Sequence, residues 1–293
     1  MLLILVRRVK IFNIQIKRTT VDLAYKIEGN CSPQSTPLII LHGLLGSKRN
    51  WFSMSKNIAQ ALNTCAVAAD ARNHGESPHD SSHSYLDLAS DVSKLMDNLN
   101  FRKASIIGHS MGGRTAMALA LSEPNKVERV VVVDISPVSS IGLQTSIFPR
   151  LIEVMKSINF DGINNLSQAR SFAKDQILKS GVIKQIEGMH FVLMNLAENP
   201  DKTIRWVINM DALKNNFQDI ATFPSKLLNK QFDGPTLFIG GEESQYIPDL
   251  EGIKKLFPKA ELKYVPGVGH NVHAEDPKTF LKLTTEFLST YIL

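Results

Sequence analysis

The chain has 293 residues, 43% of them apolar. It can bury a large core yet exceeds the usual single domain, so one core carrying an inserted subdomain fits its size. No apolar run approaches the length of a membrane-spanning helix, and the formal charge of +5 sits almost wholly in residues 1–30, which carry +4, without the aromatic interleaving of a nucleic-acid platform, so a transmembrane body and nucleic-acid binding are both set aside.

Residues 1–19 place Arg7, Arg8, Lys10, Lys17 and Arg18 among Leu, Ile, Val and Phe, and no acidic residue precedes Asp22. That composition matches a mitochondrial targeting segment. The alternation over 9–16 equally suits an N-terminal strand, with a cytoplasmic location as the alternative. A secretory signal is disfavoured because Arg7 and Arg8 interrupt the apolar run and no small-residue cleavage site follows. Strands are expected at 20–27, ending at Gly29-Asn30, and at 37–41, followed by a helix over 51–62. The two cysteines, Cys31 and Cys65, are too sparse for a disulfide scaffold; one bridge is formally possible, but Cys65 within an apolar strand reads as a buried thiol in a reducing compartment.

Strand 65–70, helix 84–99, strand 104–108, helix 111–122 and strand 127–134 continue the alternation. Strands apolar on both faces between helices predict a mostly parallel sheet covered on both sides. From 136 to 233 helical patterns take over, as at 147–158 and 182–197, and the strand-helix alternation resumes at 235–240, 249–257, 260–265 and 275–290. The chain therefore reads as a core of 20–135 and 234–293 with a helical cap, 136–233, above the strand ends where an open α/β sheet places its ligand.

The strongest chemical signal is Gly108-His109-Ser110-Met111-Gly112 between an apolar strand and an Ala-rich helix. A tight strand-to-helix turn lifts the Ser110 hydroxyl out of the sheet, needs glycine on both sides, and points the Met111 N–H at a developing oxyanion. His270, in Pro266-Gly-Val-Gly-His after the last strand, has the loop freedom a general base requires, whereas His273 reads as a structural hydrogen-bonding residue. His42-Gly43-Leu44 follows an early strand, where the Leu44 N–H can supply a second oxyanion donor and His42 can order the loop. The acid is assigned to Asp134, whose carboxylate at the end of a core strand can reach the His270 Nδ1–H from a rigid element, ahead of Glu243 in the loop after 235–240. Asp70, Arg72, His74 and Gly75 suit structural support. His79 and His83 lack a third ligand, so no metal site is expected.

The strings LHGLLGS (41–47), DARNHGESPH (70–79), GHSMGG (108–113), VVDISPV (132–138), NMDAL (209–213), PTLFIGG (235–241) and GHNVHAEDP (269–277) resemble the α/β-hydrolase domain-containing protein 11 group and its bacterial esterase relatives. The resemblance spans about residues 20–290. It implies the α/β-hydrolase fold, a serine esterase acting on acyl esters including acylglycerols without a cofactor, a small-molecule or lipid ester as substrate, and a mitochondrial location. It also brings in Asp211, through NMDAL, as the competitor for the acid. Asn271 departs from the pattern, since similar proteins carry an aromatic residue after the base. A ligand-binding or scaffold protein on the same fold is the alternative. Dehalogenase chemistry is disfavoured, because its nucleophile would be an Asp where Ser110 stands. The apolar stripe Ile147, Phe148, Leu151, Ile152 and Met155 suits one helix face packed on a core.

Overall fold

The computed structural model describes residues 19–32, 34–138, 147–163, 165–182, 189–247 and 250–290. The expected targeting segment or strand at the N-terminus lies outside them. Seven strands form one sheet: β1 (Tyr25–Glu28), β2 (Leu38–Leu41), β3 (Ala66–Ala69), β4 (Ala104–His109), β5 (Val127–Val133), β8 (Thr236–Gly241) and β9 (Ala260–Val265). Their order is β1-β3-β2-β4-β5-β8-β9, with β1 antiparallel and every other pair parallel.

Strand residues alternate between two apolar layers because the pleat sends neighbours to opposite faces. Leu38, Ile40, Ile107, Val131 and Val133 pack toward α1 (Phe52–Leu62) and α11 (Pro277–Ser289), while Ile39, Leu41, Ile106, Val130 and Val132 pack toward α2 (Tyr85–Asn98) and α3 (Met111–Ser122). The chain turns left from β2 to β3 and right to β4, so a crevice opens between the C-terminal ends of β2 and β4.

The cap contains α4 (Ile147–Ser157), α5 (Leu166–Lys179), α6 (Met189–Leu193), α7 (Met210–Asn215) and α8 (Phe217–Ala221). It also holds a short antiparallel ribbon, β6 (Leu196–Glu198) with β7 (Ile204–Trp206). The expected helix over 182–197 is corrected by this ribbon. Asn199-Pro200-Asp201 closes a tight turn, with the Asn199 N–H donating to the Thr203 carbonyl at 2.8 Å, and helix cannot run into it. Residues 183–188 of that expectation lie outside the described residues. Phe223, Leu227 and Phe232 already pack into the layer formed by α2 and α3, so the chain has rejoined the core before 233.

The cysteines correct a second expectation. Cys31 and Cys65 form a disulfide with Cα atoms 4.8 Å apart. The pairing of β1 with β3 sets Glu28 opposite Ala66, which brings the turn after β1 beside Cys65, the residue just before β3. Spacing along the chain could not reveal that neighbourhood.

Candidate active site

Ser110 stands between β4 and α3 with φ 53° and ψ −115°, a conformation costly for any residue with a Cβ. Close packing enforces it. A Cβ on Gly108 would lie 2.2 Å from the Gly112 carbonyl oxygen, and one on Gly112 would lie 2.4 Å from that of Leu41. The Ser110 N–H donates to the Val133 carbonyl at 2.9 Å, fixing the turn against β5. Helix α3 begins at Met111, so its first N–H groups face the crevice.

His270 Nδ1 donates to Asp134 Oδ2 at 2.7 Å. Asp134 directly follows β5, with no exposed surface and φ 49°. Its other oxygen accepts the Gly241 N–H at 3.1 Å, and the Ser244 hydroxyl donates to Oδ2. The segment at the end of β8 and just beyond it thus supplies hydrogen-bond donors to the carboxylate that follows the neighbouring strand, and its own Glu242 and Glu243 are exposed. Asp211 lies elsewhere: it is 71% exposed on α7 and paired with Lys156 at 2.5 Å. The structure therefore brings Asp134, not Asp211, to His270. Glu243 is exposed.

NMDAL has a different role. Asn209 caps α7 by accepting the Ala212 N–H at 3.1 Å, and both its backbone N–H and its side-chain amide donate to Asn73, at 3.0 and 3.1 Å, docking the cap on the loop after β3.

The Leu44 loop rests on buried histidines. His42 Nδ1 donates to the Gly43 carbonyl at 2.8 Å while Nε2 accepts the Ala71 N–H at 2.9 Å. His74 Nδ1 donates to the Arg72 carbonyl at 3.0 Å while Nε2 accepts the Leu45 N–H at 3.2 Å. Both pairings need a neutral ring, and burial lowers both pKa values, His74 to about 3. Beside them, Asp70 takes the Lys48 ammonium and the N–H groups of Lys48 and Glu76, and Arg72 is held by Asp91 through two bonds of 2.6 and 2.7 Å. These four loop residues serve as scaffold. His79 points to the Val207 carbonyl and His83 to Met111 Sδ, so the pair does not converge, and among the described residues no three His, Cys, Asp or Glu side chains are placed to hold a metal.

Three residues escaped sequence reasoning. Ser244 and Tyr246 occupy the loop after β8, and the Tyr246 ring lies 4.2 Å from that of His270, so the aromatic neighbour absent at Asn271 comes from another loop. The only signal was Ser-x-Tyr in an otherwise acidic loop. His109 Nε2 donates to the His270 carbonyl at 2.9 Å, fixing the His270 backbone from inside the turn that carries Ser110. His273 corrects its expectation: it stacks on Trp51 at 4.2 Å, and its buried Nδ1 makes no hydrogen bond among the described residues.

Above Ser110 and His270 opens a cavity of about 390 Å³, roofed by Ile147, Phe148, Leu151 and Phe217 of the cap. The α4 stripe divides here. Ile147, Phe148 and Leu151 line the cavity, whereas Ile152 and Met155 are fully buried inside the cap. A serine, a carboxylate-bound histidine and a helix N-terminus beneath an apolar roof can perform acyl transfer on an apolar ester.

A family model described as alpha/beta hydrolase fold matches residues 36–277. Sn-1-specific diacylglycerol lipase ABHD11 of Danio rerio is 41% identical over 87% of this chain and 78% of its own, and that of Mus musculus is 39% identical over 86% and 80%. Among solved structures, a marine microorganism esterase superposes with a TM-score of 0.78 at 34% identity, covering 92% of this chain and 100% of its own.

Proposed function

Because the chain belongs to the α/β-hydrolase fold family and is a carboxylic ester hydrolase, we propose that it cleaves lipid esters of the acylglycerol type through an acyl-enzyme on Ser110. The observation that carries the reading is the 2.7 Å bond from His270 Nδ1 to buried Asp134, which leaves Nε2 as the base on the cavity side where Ser110 stands. Ser110 Oγ attacks the ester carbonyl as His270 takes its proton. The N–H groups of Leu44 and Met111 stabilise the oxyanion, and His270 returns the proton to the leaving alcohol. Water then repeats the sequence on the acyl-enzyme. The apolar roof and the printed names of the lipase relatives support an acyl-chain substrate.

Fluorophosphonate labelling of the wild-type protein and of Ser110→Ala tests the reading. Labelling and ester turnover should both vanish in the variant; labelling that persists contradicts the assignment. A wild-type protein that turns over no short-chain p-nitrophenyl ester would instead point to a ligand-binding protein on the same fold. For location we propose the mitochondrion, supported by the +4 charge of residues 1–30. A fluorescent protein fused behind those residues should enter mitochondria, and a diffuse cytoplasmic signal contradicts it.

A further inference from the structure

Arg114 is buried in the wall of the cavity, 3% exposed, one helical turn beyond the nucleophile, with its N–H donating to the Ser110 carbonyl at 3.0 Å. The proposed acyl transfer uses no charge there. A guanidinium removed from water is costly unless its donors are satisfied. Those of Arg114 reach carbonyls at both ends of the cap. Nε and Nη2 each donate at 3.3 Å to the carbonyl of Ser136, two residues after Asp134. Nη1 donates at 2.9 Å to Ala221 and at 3.4 Å to Ile220, where α8 ends and the chain returns to the core. The Tyr85 hydroxyl, from α2, adds a 2.7 Å bond to the same Ile220 carbonyl. Ser136 and Ala221 are buried, so few waters could replace these bonds.

Every cap residue that roofs the cavity, from Ile147 to Phe217, lies between these two attachment points. We propose that Arg114 is a positioning residue that pins both ends of the cap to the nucleophile helix and thereby sets how well the site accepts long acyl chains. A planar fork of five donors can serve two carbonyl groups at once, which an ammonium on a flexible stem does less well. The chemistry at Ser110 needs the turn, the base and the oxyanion donors, all held by the core. A long acyl chain needs the roof held at a fixed height, where a misplacement on the order of 1 Å costs up to about a hundredfold.

This inference rests on the esterase reading, and the test separates the two. Kinetics on p-nitrophenyl acetate and p-nitrophenyl octanoate are compared for wild type, Arg114→Met, Arg114→Lys and Tyr85→Phe, with Ser110 labelling by a small fluorophosphonate as a readout that needs no acyl chain. Arg114→Met should lower kcat/KM for octanoate about tenfold or more, chiefly through KM, with a clearly smaller loss on acetate. Arg114→Lys should recover part of the difference, and Tyr85→Phe should shift octanoate KM the same way by a smaller factor. An equal loss on both esters with slowed labelling overturns the clamp and makes Arg114 packing for the nucleophile helix. An unchanged chain-length profile overturns it too. If Arg114→Met does not fold, Tyr85→Phe decides on the same criterion. A wild type that hydrolyses neither ester and resists labelling overturns the esterase reading instead.

Discussion

Asp134 occupies an environment built for an anion. It has no exposed surface, yet its carboxylate receives the Gly241 N–H, the Ser244 hydroxyl and the His270 ring. Hydrogen bonds to the charged form are what make such burial tolerable. On the proposed mechanism, Asp134→Asn should leave the fold intact and cut turnover by about 10⁴, because His270 loses the partner that selects its tautomer. Asp211→Asn breaks only an exposed pair with Lys156 and should leave turnover within about twofold; steady-state kinetics on one ester checks both, and a larger loss at Asp211 would contradict the assignment. Ser244→Ala should lower kcat about tenfold with little change in KM, the scale of one hydrogen bond to a charged group. The sequence already favoured Asp134 over Asp211 and Glu243, because a strand end is the more rigid support. The contact itself depends on which strand end lies beside the His270 loop.

The turn at Ser110 shows at the scale of elements why a short motif carries so much information. Gly112 lets α3 pass directly over the end of β2, with the space of a Cβ taken by the Leu41 carbonyl, and Gly108 lets the strand pass under the same helix. Gly112→Ala must push α3 away from β2 and should lower stability by about 3 kcal/mol or more, seen as a lower urea midpoint. An unchanged midpoint would mean that the turn is not close-packed. The strands and helices of the core were legible because their apolar periods, two and 3.6, continue over whole elements. The ribbon of β6 and β7 was not, since three-residue strands show no period and only the Asn-Pro-Asp turn marks them.

The whole molecule has an acid sensitivity that follows from its buried histidines. Burial pushes His74 and His273 down to about 3, with neighbouring imidazoles adding to the effect, and His42, His83 and His109 move in the same direction. In the unfolded chain these rings titrate near the ordinary histidine value of about 6.5, so the unfolded state binds more protons below it. The stability these rings contribute is therefore complete above about pH 6.5 and falls as pH drops toward 3, by roughly 1.4 kcal/mol per pH unit from each of His74 and His273. Urea midpoints should decline from about pH 7 to pH 5, and His273→Phe, which keeps a ring against Trp51, should shallow the decline. A flat profile contradicts it. The Cys31–Cys65 bridge closes a separation of 34 residues, and its reduction should cost about 3–4 kcal/mol, read as a lower midpoint in dithiothreitol. From sequence alone came the sheet, the inserted cap, the strand-to-helix turn at Ser110 and the proposed roles of Ser110, His270 and Asp134, since periodicity and turn chemistry are local and leave their mark on neighbouring residues. Only the tertiary structure decided that Asp134 meets His270, that Tyr246 and His109 flank His270, that Cys31 meets Cys65, and that Arg114 joins both ends of the cap. Each of those depends on distant segments converging at strand ends, and strand order and register, which set that convergence, leave no periodic trace along the chain.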